Sequence, residues 1–219
     1  MESIVSVLVG ALLSFTGTHH STLDEQQSVA PVEWSCEALK WPLEPYLDGK
    51  ILKAQVSAKC QFKGVSGGGF AELEAYLAKR IVDQSEKVHS GPNKETYKDM
   101  TSTHFDTTVK VGGKSDYAFV RQDAHVATDA KTALLFDTIS KSIEGYGNAK
   151  YMKKVDAFTK VTPIADKISV YQGTLVSYFE IEKPVFVPGS IFISEVKKQL
   201  EKQAGELEKD LLEDIGQHI

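Results

Sequence analysis

The segment after Pro188-Gly189-Ser190 constrains this chain most. Val196, Leu200, Ala204, Leu207, Leu211 and Ile215 recur there at three- and four-residue steps. Lys197, Lys198, Glu201, Lys202, Glu206, Glu208, Lys209 and Asp210 lie between them. That pattern predicts an amphipathic helix of about seven turns from Ser190 to Ile215, with one apolar stripe to cover. Ser190 is the expected N-cap. A helix this long takes most of its stability from packing, so the preceding chain must supply a surface of matching length.

The preceding chain reads mainly as strands. From Lys50 to Lys63, residues Ile51, Ala54, Val56, Ala58, Cys60 and Phe62 largely share one parity, the mark of a half-buried strand. Gly64 to Gly69 breaks it with a run of glycines. Phe70, Leu73, Leu77, Ile81 and Val88 then recur at helical spacing up to His89, and Ser90-Gly91-Pro92 ends that helix. Beyond Tyr97 the strand candidates are Thr103–Val111, Tyr117–Val126, Thr132–Ile143, Lys150–Val161, Lys167–Val176 and Ser177–Val187. Gly112-Gly113, Gly145-Tyr146-Gly147-Asn148 and Thr162-Pro163 supply turns between them. In one of these segments Ala133-Leu134-Leu135 is also compatible with the start of a helix. A run of strands with no helix between them predicts a large antiparallel sheet.

The order is strand, glycine-rich turn, helix, about six strands and a long last helix. It resembles the helix-grip fold of the START and Bet v 1-like (SRPBCC) superfamily over roughly Lys50 to Ile215. The resemblance implies an α+β domain in which a curved antiparallel sheet of about six to seven strands grips the C-terminal helix. It also implies an internal cavity between sheet and helix, suited to a lipid or other hydrophobic small molecule.

The expected organisation is an apolar N-terminal segment at 1–17, a leader and irregular segment at 18–48, and the helix-grip-like domain at 49–219. Ile4 to Phe15 carries no charge. At about a dozen residues it is too short to span a bilayer as a helix and suits a signal-peptide core. No Lys or Arg precedes it, Glu2 does, and no clean cleavage site follows. An exported protein, periplasmic or secreted, is the expectation, with a cytoplasmic one as the alternative. Trp34 to Pro45 is apolar but broken by Pro42 and Pro45, and reads as an irregular or edge segment.

Composition narrows the function classes. The chain has 219 residues, 42% hydrophobic and 25% charged, with a net charge of −5 spread along it. That suits one folded domain with a sizeable core and lacks the clustered basic face of a nucleic-acid binder. Cys36 and Cys60 are the two cysteines. In an exported protein they could close a disulfide worth about 3 kcal/mol; in the cytosol they would be separate thiols. No His pair accompanies them, so no zinc signature is present and no metal or other cofactor is expected.

Several motifs bear on chemistry. Gly64-Val65-Ser66-Gly67-Gly68 matches G-x-S-x-G between a strand and a helix, and an Asp123/His125 or His218 partner lies downstream. A hydrolase of that kind needs alternating strands and helices around a parallel sheet, and this chain has a strand meander instead. The turn also lacks the P-loop ending and the dinucleotide glycine spacing, so it reads as a strand-to-helix turn. His104 with Asp106, and Asp123 with His125, lie two apart on predicted strands and share a face. His19 and His20 fall in the leader.

No catalytic set stands out. The expected ligand-lining residues are Tyr146, Tyr151, Phe158, Tyr171, Tyr178 and Phe186, with Val196 and Leu200 from the last helix. The leading expectation is non-enzymatic binding or transport of a hydrophobic ligand. One alternative is a cyclase- or hydrolase-like enzyme on the same fold, which needs His104 or His125 inside the cavity. Another is an interaction module whose C-terminal helix exposes its apolar stripe.

Overall fold

The computed structural model describes residues 33–37, 40–65, 67, 69–88, 103–112, 117–129, 133–165 and 167–219. The apolar segment 1–17, the leader to residue 32, His19, His20 and Ser66 lie outside the described residues. Strands β1 (Trp34–Cys36) and β2 (Lys40–Asp48) lead into β3 (Ile51–Lys63) and helix α1 (Gly69–Val88). Next come β4 (Thr103–Gly112), β5 (Tyr117–Asp129), β6 (Ala133–Tyr146), a 3-10 turn (Gly147–Tyr151), β7 (Met152–Pro163) and β8 (Val170–Glu182). Helix α2 (Gly189–His218) follows.

All pairings are antiparallel, and the order across the sheet is β1-β3-β8-β7-β6-β5-β4, with β2 also on β3. β1 pairs with 60–62 and β2 with 51–57, so these two strands lie end to end along one edge of β3. The arrangement is α+β and helix-grip: an open antiparallel sheet with a long helix across its inner face.

The sheet has eight strands rather than six or seven. The Trp34 to Pro45 stretch supplies two of them. Its register slips between Lys40 and Leu43 and again between Leu43 and Tyr46, flanking Pro42 and Pro45. Proline has no N–H to give to the ladder, so the strand passes it only by bulging. Conversely, Lys167–Val176 and Ser177–Val187 are not two strands. Val170–Glu182 pairs continuously with β3 and β7, with no register shift at 176–177 and no proline, asparagine or aspartate to turn the chain there. Ala133-Leu134-Leu135 belongs to a strand, paired on both sides. Helix α2 starts at Gly189, one residue before the expected cap. Pro188 takes the N-cap position without a side-chain bond, and its carbonyl accepts from Phe192 N–H at 3.0 Å.

A bulge in β6 resets its faces. Gln122 pairs with Ser140 and Arg121 with Ser142, leaving Lys141 as the extra residue. Thr138 is buried before the bulge, and Ile143 packs on the core after it. The β6–β7 pairing stops at Ile139–Asp156. There the Ser140 hydroxyl accepts Val155 N–H at 3.1 Å and donates to Asp156 Oδ1 at 3.1 Å, closing the seam.

The core divides in two. One cluster joins Leu52, Val56, Val120, Met152, Phe179 and Ile181 to Phe192, Val196 and Leu200 at the start of α2. The other joins Phe62, Val126, Leu134 and Val161 to Leu73 and Leu77 of α1 and to Ile215 and Ile219 at the end of α2. The apolar stripe expected on α1 therefore buries at Leu73 and Leu77.

Candidate functional site

The inner face of the sheet follows from register. Val56 pairs with Ser177, Ser177 with Ala157, Ala157 with Thr138, and Thr138 with Ala124. These five residues form one transverse row on β3, β8, β7, β6 and β5. Val56 belongs to the first core cluster and Ala124 to the second, so the row crosses their boundary. All five side chains are small. The next row, Ala58, Leu175, Thr159, Phe136 and Val126, is built the same way by register. Between Leu200 and Ile215, the sequence of α2 carries Ala204 and Gly205.

Packing at the row differs from packing at the helix ends. Ser177 and Ala157 occupy central strands of the sheet, yet both remain partly accessible, as do Leu175 and Phe136. Phe179 and Ile181, two and four positions on from Ser177 along β8, are fully buried. Thr138 and Thr159 are the buried polar residues among those described. Small side chains with three hydroxyls, between two closed apolar clusters, make a surface able to hold an apolar molecule and orient one polar group on it.

The structure separates the eight expected lining residues into two sets. Val196 and Leu200 are buried on α2 within the first cluster, and Tyr151 packs against that cluster. Tyr171 faces inward in the second, stacked on Phe62 at 5.8 Å and edge-on to Phe70 at 5.9 Å. Tyr146, Phe158, Tyr178 and Phe186 do not join them. Phe158 is half-exposed and alternates with inward Ala157 and Thr159. Tyr178 alternates with inward Ser177 and Phe179, and its hydroxyl donates to Glu180 Oε1 at 2.6 Å. Burial first, and that bond second, push its phenol above the ordinary range, so it acts as a neutral donor. Tyr146 is exposed and bonded to Glu144, and Phe186 is 70% exposed in the β8–α2 connection. An aromatic count along the strands carries no parity, and parity decided these positions.

The residues that parity places inside were not on the sequence-derived list: Ala124, Thr138, Ala157, Thr159 and Ser177. Each shares the parity of a buried neighbour on its strand, but only the pairing lines them up.

The glycine-rich turn has a structural use. Gly64 N–H donates to Ser169 O at 2.9 Å, Val65 N–H to Gly216 O at 2.9 Å and Gly67 N–H to Ile219 O at 3.3 Å. The amides that would form an oxyanion hole instead meet main-chain oxygens at the end of α2. A Cβ on Gly64 would lie 2.5 Å from Ile219 O, so only glycine fits there. The Gly64–Gly68 match is thus a receptor for the end of the long helix.

The histidine pairs sit elsewhere. His125 alternates with buried Ala124 and Val126, so it faces outward, and its Nδ1 lies 3.7 Å from Asp137 Oδ2. Asp123, on the same outward parity, contacts Lys141. His104 and Asp106 lie at register positions opposite His125 and Asp123; their side chains lie outside what is described. His125 therefore gives no base to the inner face. His218 stacks on Tyr76, ring centroids 3.5 Å apart, joining α2 to α1.

β2 clamps the other end of α2. Lys197 Nζ lies 2.7 Å from Glu44 and 5.3 Å from the Trp41 ring centroid, and Trp41 Nε1 donates to Glu201 at 3.3 Å. With Phe192, Val196, Leu200 and Ile215 all buried, α2 turns its apolar stripe into the fold at both described ends, against the interaction-module alternative. Among the described residues, no helix is long and apolar enough to cross a membrane.

No protein-family model matches the sequence, and no curated protein matches it. Solved structures similar to the chain include TTHA0849 from Thermus thermophilus, 18% identical, covering 74% of this chain and 96% of that one at a TM-score of 0.41. Ara h 8.0201 is 14% identical, covering 76% and 97% at 0.39. Human STARD10 is 10% identical, covering 82% and 72% at 0.37. At such identities the function of this chain rests on its own residues.

Proposed function

We propose that this protein binds a lipid or another hydrophobic small molecule between the inner face of its sheet and helix α2, without transforming it. One observation carries the reading: the row Val56, Ser177, Ala157, Thr138 and Ala124 runs from one core cluster to the other, and its members Ser177 and Ala157 stay partly accessible on central strands of the sheet. Small side chains on the sheet suit a ligand held against a helix whose two ends are packed by Phe192, Val196 and Leu200 and by Ile215 and Ile219. The hydroxyls of Thr138, Thr159 and Ser177 are the polar handles.

Export is part of the same proposal. Cys36 and Cys60 are direct register partners, bridged as a disulfide with Cα atoms 4.0 Å apart. Such bridges persist in oxidising compartments. That supports a periplasmic or secreted protein.

Native mass spectrometry of the gently purified protein, followed by solvent extraction, tests the binding. The expected result is a co-purifying apolar molecule released on denaturation, or saturable uptake of a fluorescent fatty acid at one equivalent. The absence of both a bound molecule and saturable uptake would overturn it.

A further inference from the structure

The connection between β8 and α2 is held tightly and yet displays apolar side chains to water. Pro184 and Val187 are buried, and Val187 N–H donates to Pro184 O at 3.1 Å. The Lys183 ammonium closes the same turn, donating to Pro184 O at 3.2 Å and to Val187 O at 2.8 Å. Between these anchors Val185 is 83% and Phe186 70% exposed, and Ile191 in the first turn of α2 is 49% exposed. Val185 and Phe186 are the one adjacent pair of exposed large apolar side chains among the described residues. Ile51 pairs with Glu182 and Met152 with Ile181, so the β2–β3 turn and the β6–β7 connection meet this tip at the same end of the sheet.

The surroundings of the tip are basic. Lys183 N–H donates to Lys50 O at 2.7 Å, and Lys50 and Lys150 are exposed at this end. Asp48, Glu182 and Glu144 nearby are engaged by Lys53, Lys153 and Tyr146. The first turn of α2 carries no acid to offset the positive end of the helix. The whole chain has a net charge of −5, so this end departs from the rest.

We propose that Val185, Phe186 and Ile191, flanked by Lys50, Lys150 and Lys183, dock the protein on an anionic lipid bilayer. Apolar side chains at the acyl boundary and lysines at the headgroups are the two contributions that reversible surface binding needs. A turn already fixed loses little entropy on insertion. Three side chains fall far short of the roughly 1,200 Å² that a stable protein interface buries, whereas shallow insertion into a bilayer needs no complementary surface. Val187 and Phe192, on either side of the tip, belong to the first core cluster, so docking brings the bilayer to one end of the inner face. The bilayer is then a source of the hydrophobic ligand, a step that rests on the proposed function; docking itself does not.

Flotation with vesicles of equal parts phosphatidylcholine and phosphatidylglycerol tests the surface. The protein should float with these vesicles, and markedly less with phosphatidylcholine alone or in high salt. Val185→Ser/Phe186→Ser should weaken vesicle binding about tenfold or more. Lys50→Ala and Lys150→Ala should each weaken it about fivefold. Ile168→Ser, at a residue 92% exposed at the opposite end of the sheet, should bind as the parent does. As a second measurement, Phe186→Trp should show an emission blue shift with vesicles beyond that of the parent, which carries Trp34 and Trp41. Absence of flotation, or flotation retained by the double serine variant, overturns the proposal. So does self-association in the absence of vesicles that the same serines abolish, which would make the tip a protein contact. Uptake of a fluorescent fatty acid from solution, without vesicles, reads the inner face separately.

Discussion

The main-chain oxygen of Ile219 sits 2.5 Å from where a Cβ on Gly64 would stand. The glycine turn after β3 and the end of α2 are therefore built onto each other, and the turn's amides serve as the helix's C-terminal partners. Gly64→Ala should lower stability by about 1–3 kcal/mol, because backbone on both sides must shift. Chemical denaturation of the purified variant measures it; an unchanged midpoint would contradict the packing described here.

The Cys36–Cys60 bridge closes a sequence separation of 24 residues and fastens β1 to β3. A reductant, or the double variant Cys36→Ala/Cys60→Ala, should cost about 3 kcal/mol in the chain-entropy model. Denaturation curves with and without reductant should differ for the parent protein and coincide for the double variant.

Ser177 tests the inner face directly. Ser177→Phe places a large ring in the row of small side chains and should weaken uptake of a fluorescent fatty acid roughly tenfold or more. Phe158→Ala, on the outer face one strand away, should leave uptake unchanged. Equal behaviour of the two variants would remove the inner face from consideration.

Phe192 is 1% exposed at the start of α2, within the first core cluster. Phe192→Ala should cost about 3–5 kcal/mol. Val185→Ser, at a residue 83% exposed in the connection just before the helix, should change stability by no more than about 0.5 kcal/mol. Thermal unfolding of the two variants separates helix anchoring from loop composition.

Asp48 receives a 2.8 Å bond from Lys53, and the lysine holds its carboxyl below the usual carboxylate range. A depressed folded-state value means that the contribution is present above the unfolded value of about 3.9 and is lost as pH falls through the lower, folded value. The pair is exposed, so the effect is small and screened by salt. In low salt, Asp48→Asn should narrow the gap between stability at neutral pH and below about pH 4.

Much of the fold was legible in the chain. The long helix announced itself through the spacing of Val196, Leu200 and Ile215, and its observed span exceeds the expected one by a residue at the start and a few at the end. Helix α1 and strand β3 fell within a residue of expectation, because glycine runs and a clear period bounded them. The strands around Pro42 and Pro45 were less legible, since a bulged edge strand has neither strict alternation nor a full ladder. The merging of two expected strands into β8 shows the converse: residues 170–182 carry one glycine and no proline, asparagine or aspartate, and even spacing alone invited a division.

The candidate site was the least legible part. Local periodicity determined which elements form and which face of each is apolar, because backbone geometry sets a period of 3.6 or 2 from the residues alone. It could not say which strand lies beside which, nor at what register. Pairing decided that Ser177, Ala157 and Thr138 share a row, that the β6 bulge turns Ile143 inward, and that Tyr178 and Phe158 face away. Contacts between residues tens of positions apart are selected by packing the whole sheet against one helix, and that selection exists only in three dimensions.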